Sequence, residues 1–293
     1  MISEEILKKI RRIEIISKKS SKEIFAGEYH SAFKGRGMEF SEVREYIDGD
    51  DVRFIDWNVS SRMGKLYIKQ FVEERELTVI LAVDLSASLG FFSGTKSKKE
   101  IAAEISAIIA FTAMLNNDKV GLLVFTDKIE CFIPPKKGKI HLLKIIREII
   151  NFKPEGKSTS IDNGLVYLNK VIKKRSIVFL ISDFIDNNFS RSMKISSRKY
   201  DLIAIKIFDS REKHIPQKGI FILKDYENGE EFFVDFASDE TRKGFSEIYK
   251  KNTQSLSEIF KKLKIDFIYI EDEKDYEKPL FDFFLKRKSK ILR

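Results

Sequence analysis

Apolar residues gather in short dense runs between 77 and 270, separated by segments with helical spacing. LTVILAV (77–83), KVGLLVF (119–125), SIVFLIS (176–182), DLIAIKIF (201–208) and IDFIYI (265–270) have strand length, many β-branched residues and little alternation. Strands of a parallel sheet covered on both faces show that pattern. Between them the spacing predicts helices at about 97–116, 139–151, 160–173, 188–198 and 239–263. The last carries Leu256, Ile259, Phe260 and Leu263 on one stripe. LYIKQF (66–71) reads as a further strand, 219–223 and 231–235 as a hairpin flanking ENGE, and EKDYEKPLFDFFLKRK as a closing helix. Upstream, Ile6, Ile10, Ile13 and Ile16 predict an amphipathic helix over 3–19, while 20–64 is rich in Gly, Asp and Arg and has little periodicity. The alternation of strands and helices predicts an α/β fold of Rossmann type: a doubly wound, mainly parallel sheet with helices on both faces. The expected division is an N-terminal extension over 1–75 and an α/β domain over 76–293, with a hairpin insertion near 210–236.

Composition narrows the function. A hydrophobic content of 43% over 293 residues supports a sizeable core. A single cysteine, Cys131, excludes an intramolecular disulfide and a cysteine-rich zinc site. The three histidines, His30, His141 and His214, lie far apart without metal-ligand spacing. The longest apolar stretch, inside ISAIIAFTAML (105–115), falls short of the roughly 20 residues a membrane helix needs. MISEEILKKIRRIEIISKK mixes charge through its apolar positions and lacks a signal-peptide core. The expectation is a cytoplasmic protein without a membrane span. The net charge is +9, from 54 Lys and Arg against 45 Asp and Glu, and KRKSK clusters near the C-terminus. With both signs this dense, a solvated lysine-rich surface is the plainer reading. No zinc-finger spacing or aromatic RNA-binding signature makes nucleic acid the expected partner.

The candidate chemistry lies just past three predicted strands or loops. Asp84 ends the first strand, and Ser86 and Ser88 follow at alternate positions. GKSTSIDNGL (156–165) places Ser158, Thr159 and Ser160 before a helix, and Asp183 follows the strand of LISDF. In a doubly wound sheet, ligands bind beyond the carboxyl ends of the strands. Taken singly, each group has an ordinary explanation: Ser and Thr cap helices, and Asp starts turns. Together they form an oxygen-only donor set that suits a hard cation, Mg²⁺ above all, with Mn²⁺ or Ca²⁺ as substitutes.

Asp-x-Ser-x-Ser, then Thr, then Asp resembles the metal-ion-dependent adhesion site of von Willebrand factor type A domains. GRGMEFSEVREYIDGDDVRFIDWNVSSR (35–62), EER (73–75), DLSAS, NNDKVGLLVF, IPPKKG, SIVFLISDF and DYENGE resemble the family called domain of unknown function fifty-eight, across nearly the whole chain. Its most specific part is Gly49-Asp50-Asp51-Val52-Arg53 with Asp56-Trp57. Asp48, and Ser210 after Asp209, stand at turn positions where the family commonly has proline. Many relatives also carry N-terminal membrane helices, and no such stretch is found here. The resemblance implies a von Willebrand factor A-like fold. It implies that Ser86, Ser88 and Thr159 bind Mg²⁺ through their hydroxyls, while Asp84 and Asp183 hold it mainly through water. Neutral hydroxyls leave the cation's charge poorly compensated, so a partner's carboxylate would complete its shell. The partner implied is an AAA+ ATPase of the MoxR type, or its client, in chaperone-like assembly.

Asp50, Asp51, Arg53, Asp56 and Trp57 are expected to form an ion-pair network over a buried tryptophan, a structural role preferred to partner contact. No base or nucleophile with a recognisable partner accompanies the metal residues, and no Walker-type loop is present. A binding module is therefore expected rather than an enzyme. The alternatives are a Mg²⁺-dependent phosphoester hydrolase using Asp84 and Asp183, and a basic nucleic-acid-binding protein.

Overall fold

The dense apolar runs form the interior of a six-stranded sheet. The computed structural model describes residues 29, 32–33, 39–72, 76–90, 96–156, 158–186, 188–209, 219–224, 230–271 and 276–291. The helix expected over 3–19 lies outside the described residues. In chain order the elements are β1 (Glu39–Glu45), α1 (Trp57–Met63), β2 (Tyr67–Val72), β3 (Thr78–Asp84), α2 (Lys98–Leu115), β4 (Lys119–Phe125), β5 (Ile129–Lys136), α3 (Lys139–Asn151), α4 (Ile161–Val171), β6 (Ile177–Ser182), α5 (Ser190–Lys199), β7 (Asp201–Ile207), β8 (Ile220–Lys224), β9 (Glu231–Asp235), α6 (Asp239–Leu263), β10 (Asp266–Ile270) and α7 (Glu277–Ile291).

The sheet order is β10-β7-β6-β3-β4-β5, parallel throughout except for the antiparallel pair β4–β5. β3 is the pivot: the chain runs outward to β4 and β5 on one side, then returns to β6, β7 and β10 on the other. Strand order thus reverses beside the carboxyl end of β3, where a doubly wound sheet opens a crevice. Side chains of β3 alternate between two cores. Val79, Leu81 and Val83 share a core with α2, α3 and α7, whereas Ile80 and Ala82 share one with α4, α5 and α6. The α/β class, the mainly parallel sheet and the helices on both faces are as the pattern predicts.

α2 is buried along most of its length, and it starts with a capping box in which Ser97 and Glu100 satisfy each other's backbone N–H groups. α4 lies close against β4, because a Cβ on Gly164 would stand 2.9 Å from Cγ of Phe125. Part of the upstream chain also enters the core: Tyr29 and Ala32 are fully buried. The Tyr29 hydroxyl donates to Asp118 (3.1 Å), and burial together with Asp118 raises its pKa well above the usual tyrosine value. Arg287 of α7 bonds Asp201 and Asp266 (2.7 Å to the latter) and donates to the Ala32 carbonyl. It ties the strands β7 and β10 to this segment.

Two strands differ from the pattern. β5 carries Pro134 and Pro135 and was not expected as a strand; it is an antiparallel edge strand, the place where a sheet tolerates proline. β1 pairs with β2 in a separate two-stranded sheet, with α1 against it. The β8–β9 hairpin forms where it is expected, as its own two-stranded sheet.

Candidate functional site

The carboxyl ends of β3 and β6, with the loop before α4, bring together all five residues proposed from sequence as metal ligands. Asp84 is the last residue of β3 and has no exposed surface. Its Oδ1 accepts from the Ser86 N–H (2.9 Å) and its Oδ2 from the Ser182 hydroxyl (2.7 Å). The first bond folds the chain back after the strand, so Ser86 and Ser88 turn their hydroxyls toward one another at 3.0 Å. Thr159 donates to the Ser86 hydroxyl across 2.7 Å. Its loop is held by bonds to Thr126, just past β4, and to Glu130 of β5. The Ser160 N–H donates to the Thr126 carbonyl (3.0 Å), and Glu130 Oε1 accepts from the Glu155 and Gly156 N–H groups (3.1 and 2.8 Å).

Asp183, also without exposed surface, follows β6 directly. Its Oδ1 accepts from the Ile185 N–H (3.2 Å), and its Oδ2 lies 3.3 Å from the ammonium of Lys98, the first residue of α2. The next residue, Phe184, has φ 57°, a left-handed conformation that costs a residue with a Cβ about 1–2 kcal/mol. Packing against Phe189 and Phe260 and an N–H bond to Ser182 (3.0 Å) hold it there. Asp186 links this loop to the next by accepting from the Ile161 N–H at the start of α4 (2.9 Å).

The site is therefore layered. Two buried carboxylates form its floor, and Ser88 and Thr159, both partly exposed, form its rim. Burial and the negative charge of Asp183 push the Asp84 carboxyl up to about 7. Nearby positive charge would favour the ionised form. Among the described residues, no three His, Cys, Asp or Glu side chains gather as a metal cluster. The donor set is two carboxylates and three hydroxyls. Oxygens at right angles around an ion, each about 2.0–2.1 Å away, stand about 2.8–3.0 Å apart. The hydroxyl spacings of 2.7 and 3.0 Å come close to that edge length, so the residues fit a small hard cation.

Three contributors escaped sequence reasoning. Ser182 falls at the end of a predicted strand, Lys98 inside a predicted helix, and Asp186 is given no role by the pattern. The signal for Lys98 was an anomaly, since a basic residue opens a helix whose dipole favours an acid there.

The aspartates of the 50–57 block hold a turn together. Asp50 takes a two-bond ion pair from Arg44 (2.7 Å each) that lowers its pKa. Asp51 caps the short 3₁₀ turn Val52–Phe54, and its carboxyl is held down to about 2 by Arg53. Asp56 caps α1 and sits 3.5 Å from Lys69. The buried tryptophan expected beneath these ion pairs is not there. Trp57 opens α1 and is 67% exposed, near the exposed Val52 in sequence. A two-stranded sheet with one short helix offers too little surface to enclose an indole.

The family model described as "Protein of unknown function DUF58" matches residues 42–255. The chain belongs to the DUF58 family. An uncharacterized protein of Mycobacterium tuberculosis, Rv1480, is 29% identical over 231 residues, covering 77% of this chain and 73% of its own. Among solved structures, the conserved hypothetical protein BatB from Bacteroides thetaiotaomicron aligns with a TM-score of 0.50 at 17% identity, over 73% of this chain and 99% of that one. The SpRpn10 VWA domain aligns with a TM-score of 0.33 at 13% identity, over 45% of this chain and 76% of that one. DUF58 membership therefore stands, and the likeness to BatB agrees with the α/β fold. Among the described residues, no helix is long and apolar enough to cross a membrane.

Proposed function

We propose that this DUF58 protein is a metal-dependent docking module. The observation that carries the reading is the convergence of Asp84, Ser86, Ser88, Thr159 and Asp183, from three separate loops, on one crevice at the switch point of the sheet. Mg²⁺, or Mn²⁺ or Ca²⁺ in its place, would be held at the hydroxyls of Ser86, Ser88 and Thr159. Asp84 and Asp183 would act from the floor. When bound, the ion supplies an electrophilic point that takes an anionic oxygen from outside. This chain's residues orient the hydroxyls, keep the carboxylates from solvent and leave the rim open. The partner is proposed to be a MoxR-type ATPase or its client, presenting an Asp or Glu side chain. The reading is binding without turnover.

The test is a pull-down from native lysate, with and without EDTA, using wild type and Thr159→Ala. Thr159 is a partly exposed loop residue, so its truncation should leave the fold intact while removing one hydroxyl from the site. Binding should weaken in EDTA and in the variant, and should persist as the Debye length shrinks from about 10 Å at 0.1 M salt to about 3 Å at 1 M. A complex that ignores EDTA and Thr159→Ala but dissolves in salt would mean that the basic surface is the interface. Turnover of a phosphoester panel that is lost on Asp84→Ala would make the protein a hydrolase.

A further inference from the structure

Lys98 breaks two rules of local design. It opens a helix, where the dipole disfavours a cation, and its side chain is only 4% exposed, where an ammonium loses its hydration. Neither the capping box nor the packing of α2 calls for a basic residue at that position; Ser97 and Glu100 satisfy the helix start by themselves. The ion pair with Asp183 spans 85 positions of the chain, so the residue answers a tertiary demand. That demand is the floor of the crevice, where Asp183 has no exposed surface and Asp84 lies beside it. Two buried carboxylates repel each other, and the Lys98 ammonium, 3.3 Å from Asp183, offsets one of them.

We infer that Lys98 is a built-in counter-cation that holds the site together without metal and keeps its affinity for free divalent ions low. With the ammonium in place, the floor presents one negative charge fewer to an incoming dication. An ion there is held weakly until an outside carboxylate restores the missing charge. Lys98 thereby couples metal retention to docking: the crevice stays folded and largely metal-free while waiting, and closes around an ion only when the partner's acid arrives. The inference rests on the metal reading above and assigns its regulation to a residue outside the ligand set.

The experiment compares wild type, Lys98→Met, Lys98→Arg and the double variant Lys98→Met/Asp183→Asn. Each is melted in EDTA and then titrated with Mg²⁺ alone by calorimetry. Lys98→Met should melt lower in EDTA and recover with Mg²⁺, and it should bind the ion at least about tenfold more tightly than wild type, because a nearby positive charge has gone. Lys98→Arg keeps the charge and should keep the weak, wild-type Mg²⁺ affinity. The double variant removes both charges and should melt higher in EDTA than Lys98→Met. If Lys98→Met does not fold, recovery of folding in the double variant supports the role and failure to recover overturns it. Equal Mg²⁺ affinity in wild type and Lys98→Met overturns the role of Lys98 and leaves the metal reading standing. Absence of any Mg²⁺ effect in wild type and Lys98→Met alike overturns both.

Discussion

Ser182→Ala tests the electrostatics of the crevice floor directly. Ser182 has no exposed surface; its hydroxyl donates to Asp84 Oδ2 at 2.7 Å and accepts the Phe184 N–H at 3.0 Å. Alanine removes both bonds. A hydrogen bond to a charged group contributes about 1.5–3 kcal/mol, and an orphaned buried N–H costs about 1–3 kcal/mol. Because the two share one atom and the loop can relax, about 3 kcal/mol is the expected loss at pH 8. The cost should depend on pH. Burial and Asp183 push the Asp84 carboxyl up from 3.8 to about 7, so without metal it is mostly protonated at pH 5 and mostly ionised at pH 8. A folded-state pKa above the unfolded value means that the folded state binds the extra proton. The contribution of this group to stability is therefore greatest below about pH 4 and is lost as pH rises toward 7. The Ser182 bond favours the ionised form, so removing it should cost more at pH 8 than at pH 5. Urea unfolding in EDTA at the two pH values measures this, with an unchanged slope as the sign that only stability has moved. Ser176→Ala, at the other end of the same strand segment, is the control; its hydroxyl makes one neutral bond to the Lys174 carbonyl (3.1 Å) and should cost about 1 kcal/mol at either pH. If Ser182→Ala costs no more than Ser176→Ala at pH 8, or the same at both pH values, Asp84 is not held as described.

The remaining predictions concern packing and metal. Gly164→Ala gains about 1 kcal/mol of helix propensity but drives a Cβ to 2.9 Å from the Phe125 ring, so it should destabilise by about 1–2 kcal/mol in the same urea assay. A stabilised variant would mean that α4 is free to move away from β4. Trp57→Ala should cost less than about 1 kcal/mol, because the indole is 67% exposed, whereas a core tryptophan would cost about 3–5 kcal/mol. A loss in the upper range would place Trp57 in a core after all. Mg²⁺ at a hundred times its Kd should add about 2.7 kcal/mol to stability, read as a rise in melting temperature that Asp84→Ala abolishes. That rise should be larger at pH 8 than at pH 5, because ion binding must displace the proton that burial keeps on Asp84. A rise independent of pH would place the ion away from Asp84.

How far the site could be read in the chain differs by residue. Asp84 and Asp183 were legible because each ends a dense apolar run, and a doubly wound sheet sends those ends to one edge. Ser86 and Ser88 were legible by their alternate spacing, and Thr159 by its place before a helix. Ser182 was not, because a serine that closes an apolar strand looks like a boundary; only the neighbouring strand makes it the donor to Asp84. Lys98 was not, because its partner lies 85 positions away. The buried tryptophan was a misreading of the same origin. Trp57 opens a short helix beside a two-stranded sheet, and only the tertiary structure shows that this sheet leaves it exposed.

By itself the sequence determined the five parallel strands, the helices between them and the oxygen-only character of the candidate ligands. These depend on local quantities: the period of apolar residues, strand length, and which side chains carry donors. The tertiary structure alone decided strand order, and with it the reversal beside β3 that turns three loops into one crevice. It decided that a proline-bearing segment could serve as an edge strand, because only an edge leaves the missing N–H without cost. It also set the charge of the site. Burial raises Asp84, Asp183 adds to that effect, and Lys98 reaches the same floor from another helix. Electrostatic energy depends on separation in space and on exclusion of water, and neither is recorded in separation along the chain.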